Sequence, residues 1–66
     1  MTTEWTKGVP AQMGDGEDVT ISVRYNGVYE EIQITNGDGV GIGMTLENAG
    51  EFVKQMLETI LKAGTE

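Results

Sequence analysis

Residues 19–35 read VTISVRYNGVYEEIQIT, and this stretch decides the fold. Val19, Ile21, Val23 and Tyr25 alternate with Thr20, Ser22 and Arg24. A period of two is that of a strand with one buried face. Asn26-Gly27 follows, the pair best suited to a two-residue type I′ turn, which needs positive φ at both positions. Such a loop sets the register: Tyr25 faces Val28, Val23 faces Glu30, Ile21 faces Ile32 and Val19 faces Ile34. One face then collects the apolar residues of both strands. The other carries Arg24 opposite Tyr29 and diagonal to Glu31, where stacking and charge pairing are expected. Glu30 breaks the pattern, because this register puts it on the apolar face. A carboxylate there must reach water, meet Arg24, Lys54 or Lys62, or face a partner chain.

Toward the C-terminus, Asn36-Gly-Asp-Gly39 reads as a second turn. Val40, Ile42 and Met44 then alternate with Gly41 and Gly43, giving a third strand with one bare face. Thr45 is a suitable N-cap, and Glu47 suits the first turn of a helix. From Leu46 to Ala63 the apolar residues fall at Leu46, Ala49, Phe52, Val53, Met56, Leu57, Ile60 and Leu61, a wide helical stripe. Gly64 is the expected C′ stop. Residues 1–18 contain Gly8, Pro10, Gly14 and Gly16 and few large apolar groups, so they read as a loosely ordered arm. The expected fold is α+β: an N-terminal arm (1–18), then a β-β-β-α domain (19–66). In that domain one C-terminal amphipathic helix lies across the apolar face of a three-stranded antiparallel meander.

Composition excludes several classes of function. The chain has 66 residues, 11 acidic and 4 basic, a formal charge of −7, and neither histidine nor cysteine. So acidic a surface argues against direct binding of nucleic acid or an anionic membrane. Without cysteine there are no disulfides, thiolate nucleophiles or Cys-based zinc sites, and without histidine the usual general base is missing. Ser22, the sole serine, has no histidine to activate it. No apolar run approaches the ~18 residues of a membrane span, and residues 1–7 lack the features of a signal peptide, so a cytoplasmic location is expected.

Glycine-rich 37–43 lacks the spacing and the lysine of a phosphate-binding loop. Asp15, Glu17 and Asp18, with Asp38, lack the ligand order of a calcium loop. No catalytic, cofactor or metal residues are therefore expected, and the chain is read as non-enzymatic.

Two functional readings remain. A core this small usually needs reinforcement, and with metal and disulfide absent a second chain is the natural source. The first reading is a small acidic protein-interaction module, homodimeric, using the edge of the third strand, the bare Gly41 and Gly43, or the helix face with Phe52 and Met56. Trp5, Arg24, Tyr29 and Glu30 are further contact candidates. The alternative is an inhibitor that binds a basic nucleic-acid-handling protein by acidic mimicry. In size and charge the chain resembles phage-type inhibitors of the anti-restriction and anti-CRISPR kind. The mimicking carboxylates would come from Asp15, Glu17, Asp18, Glu31, Asp38, Glu47, Glu51 and Glu58.

Overall fold

A computed structural model describes residues 4–37 and 41–65. Its elements are β1 (Val9–Gln12), β2 (Asp18–Asn26), β3 (Glu31–Thr35), β4 (Gly41–Thr45) and α1 (Leu46–Gly64). The strands form one antiparallel sheet in the order β1-β2-β3-β4. The class is α+β, with four strands where three were expected.

The extra strand comes from the expected arm. Ala11 lies opposite Val19 and Val9 opposite Ile21, so the apolar alternation of β2 continues onto β1. The acidic run forms the tip of this hairpin. Met13 N–H donates to the Glu17 carbonyl (2.9 Å), Gly16 N–H to the Met13 carbonyl (2.9 Å), and Gly16 takes φ 89. The Asp15 carboxylate accepts from Glu17 N–H at 2.9 Å. An Asp-Gly turn between short alternating segments is a hairpin signal that the glycines and Pro10 mask in the sequence.

The β2–β3 register also differs from expectation. Val23 pairs with Ile34, Tyr25 with Ile32, and Arg24 with Gln33. The loop is therefore Gly27–Glu30, four residues rather than two. Asn26 is the reason: its Oδ1 accepts from Val28 N–H (3.0 Å) and Tyr29 N–H (3.4 Å), capping a wider turn. Glu30 closes it in the left-handed region at φ 52. That conformation costs a non-glycine residue about 1–2 kcal/mol. The hydrogen bonds to Asn26 Oδ1 offset this cost and leave Glu30 in the loop, off the apolar face. The shift is even in residues, so each side chain keeps its expected face. Glu30 lies exposed in the turn, and Tyr29 does not sit opposite Arg24.

β4 follows the expected third strand, with Ile42 opposite Ile34 and Met44 opposite Ile32. Asp38, Gly39 and Val40 lie outside the described residues. The helix begins where Thr45 predicts, its Oγ1 accepting from Asn48 N–H at 3.1 Å. It runs through Gly64, which stays helical, and Thr65 caps it by donating Oγ1–H to the Lys62 carbonyl at 2.9 Å.

The helix does not lie across the sheet as expected. Its backbone approaches β3 and β4 and neither β1 nor β2. Ala49, 9 % exposed, is the one buried helical residue. Two global measures agree. The radius of gyration is 13.4 Å, against about 11 Å for a compact chain of this length. The surface is 5502 Å², against about 4,100 Å² for a compact protein of this mass. Roughly 1,400 Å² per chain is in excess.

Candidate functional site: an outer groove and an open helix stripe

Two surfaces gather the sequence-nominated residues. The first lies on the polar face of the sheet. Just before β1 the chain runs close beside β2, and a Cβ at Gly8 would collide with Thr20 Cγ2. Glycine thus permits the close approach. Thr6 N–H donates to the Val23 carbonyl (2.8 Å), and Thr6 Oγ1 accepts from Val23 N–H (3.0 Å). This anchors Trp5, whose ring receives the Arg24 guanidinium at 4.6 Å from its centroid. Arg24 Nε donates to Gln33 Oε1 at 2.8 Å, and Gln33 Nε2 donates to Glu31 Oε1 at 2.9 Å. The Glu31 carboxylate lies over Gly43, where an added Cβ would stand 2.7 Å from Oε2.

A chain of contacts therefore runs from Trp5 through Arg24, Gln33 and Glu31 to the glycine strand. Beside it is an open groove of about 390 Å³, lined by Trp5, Glu31, Gln33, Thr35, Gly41 and Gly43 among others. Arg24 meets a stacking partner, as expected, but the ring is Trp5 rather than Tyr29. Gln33 is the member the sequence did not flag. Its only signal was its place on the polar face, which gains meaning once the register sets it opposite Arg24.

The second surface is the helix stripe. Phe52, Val53, Met56, Leu57, Ile60 and Leu61 are 43 to 62 % exposed. They follow the helical period and share one side. Together they form a contiguous exposed apolar area along the helix.

The remaining candidates lie elsewhere. Asp15, Glu17 and Asp18 sit at the β1–β2 turn, with Asp18 Oδ1 accepting from Gln12 Nε2 at 3.1 Å. Glu17 and Asp18 border a second open hollow of about 480 Å³. Tyr29 and Glu30 stand on the β2–β3 loop. Among the described residues no group of three or more acidic side chains is placed to hold a metal ion. Among the described residues no helix is long and apolar enough to cross a membrane.

No protein-family model matches the chain, no curated protein matches it, and no solved structure matches it.

Proposed function

We propose that the chain is a small, non-enzymatic protein-interaction module that works as a homodimer. The observation that carries this is the open helix stripe. A helix of 19 residues that buries only Ala49 within its own chain gains little from tertiary packing. Helices in water owe most of their stability to such packing. The roughly 1,400 Å² of excess surface per chain gives about 2,800 Å² for a pair, in the range of obligate homodimers. Absence of histidine and cysteine, with the two grooves beside the sheet open to solvent, supports binding over catalysis.

Sedimentation velocity at micromolar concentration tests this reading. The expected mass is twice 7.1 kDa. Leu57→Lys, in the middle of the stripe, should shift the protein to monomer. A wild-type chain that stays monomeric at about 100 μM, where even weak obligate pairs assemble, would sink the proposal.

Acidic mimicry is the alternative. It draws on the exposure of Asp15, Glu17 and Asp18 together at one turn. Dimerisation would also double a charge of −7 on one particle. Triple charge reversal at these positions should then abolish salt-sensitive capture of a basic nucleic-acid-binding protein. Unchanged capture removes this turn as the contact.

A further inference from the structure

The two edges of the sheet are built differently. β1 carries Pro10, which has no N–H to donate, and Lys7 lies just ahead of it. Proline and lysine are the usual means of stopping an edge strand from pairing. β4 reads Gly41-Ile-Gly-Met-Thr45 and has neither charge nor proline. Every β4 residue except Met44 is exposed, so among the described residues neither helix nor loop covers this edge. Alternate residues of such a strand turn their N–H and C=O groups away from the neighbouring strand.

The bare face of β4 adds a second point. Gly41 and Gly43 put no side chain on the outer face, and Glu31 is drawn toward Gln33 by their hydrogen bond. The Glu31 carboxylate lies above Gly43 on that face, so the open approach to β4 is in the plane of the sheet, along the strand edge.

We propose that β4 is the seam of the homodimer. Two copies pair their β4 strands antiparallel about a two-fold axis normal to the sheet, joining two four-stranded sheets into one of eight strands. This inference rests on the homodimer reading and specifies how the dimer is made. A two-fold axis normal to the sheet keeps equivalent elements on the same side, so both helices share one face. Each helix leaves β4 directly at Leu46 and approaches only β3 and β4. The apolar stripe begins at Leu46, the residue that directly follows β4. One symmetry operation pairs the open edge and brings the two stripes together, which is the self-complementarity of a closed two-fold interface. An unrelated extended peptide on β4 would satisfy the edge and leave Phe52, Met56 and Ile60 uncovered. The second copy is the occupant that accounts for both surfaces.

The test combines sedimentation with amide hydrogen exchange followed by NMR on the wild-type protein. The expected result is a dimer in which both alternate sets of β4 amides exchange at least about 100-fold slower than unstructured amides. An isotope-filtered spectrum of mixed labelled and unlabelled chains should show contacts from one β4 to the other. Ile42→Lys, a charge placed on the strand, should weaken dimerisation at least about tenfold while the β2–β3 amides stay protected. A dimer whose outward β4 amides exchange freely, with no contact between the two β4 strands, overturns the seam and leaves the homodimer standing. A monomer overturns both.

Discussion

Sheet and helix solve the problem of a small core in opposite ways. All five residues of β3 are shielded in part by their neighbours, while α1 buries one residue of its 19. β2 serves two neighbours: its first half pairs with β1 and its second with β3. Each apolar side chain of β2 from Val19 to Tyr25 thereby has a cross-strand partner within the chain. The helix has a stripe as regular as the sheet's alternation, yet little of the chain is set against it. A pattern specifies which face is apolar. It does not guarantee that the same chain covers that face.

The largest expected effect breaks this comparison outright. If the helix relies on a second chain, stability must follow mass action. Thermal melts at 1 and 100 μM should differ by roughly 5–10 °C, with helical circular dichroism lost first in the dilute sample. Coincident melts would mean that the helix stands without a partner.

Ile34→Ala probes the other side. Ile34 lies between Val23 and Ile42, so its loss should cost roughly 2 kcal/mol in urea unfolding, whatever the protein concentration. Ile60→Ala should act only through dimerisation. Equal, concentration-independent costs for the two would erase the distinction between sheet and helix.

Thr45→Ala removes the helix cap at the junction of the two regions. It should cost about 1 kcal/mol, read as a lower melting temperature with the sheet register unchanged. Arg24→Ala tests how firmly the arm is held on the sheet. Trp5 is the only tryptophan, so its emission should move to longer wavelength, with about 0.5–1 kcal/mol of stability lost. The smallest effect has the opposite sign. Glu30→Gly relieves the left-handed conformation, partly offset by a more flexible unfolded chain, and should stabilise the hairpin by about 0.5 kcal/mol. A destabilised Glu30→Gly variant would mean that the carboxylate does more than close the loop.

Much of the candidate site was visible residue by residue. Trp5, Arg24, Gly41 and Gly43 were all nominated, and the structure places them around one groove or its stacked pair. Their assembly was not visible, because it depends on the N-terminal segment lying against β2. That contact needs Gly8 to pass Thr20 and Thr6 to hydrogen-bond Val23, and these residues are far apart in the chain. Glu30 looked like the anomaly of the hairpin only because the loop was counted as two residues. With Asn26 capping a loop of four, Glu30 leaves the apolar face.

The sequence by itself determined the type of each principal element except β1, the faces of residues 19–25, of β3 and of residues 41–44, and the start of the helix at Thr45. Alternation and helical periodicity are local, and side-chain direction follows from them directly. Tertiary structure alone decided the offset of the β2–β3 pairing, the recruitment of β1, and how little of the helix the sheet covers. Period-two patterns are unchanged by an even slip, so they set the face and leave the register to the turn. An apolar stripe, likewise, states which side of the helix seeks cover, and only the tertiary arrangement shows how little of it the described residues bury.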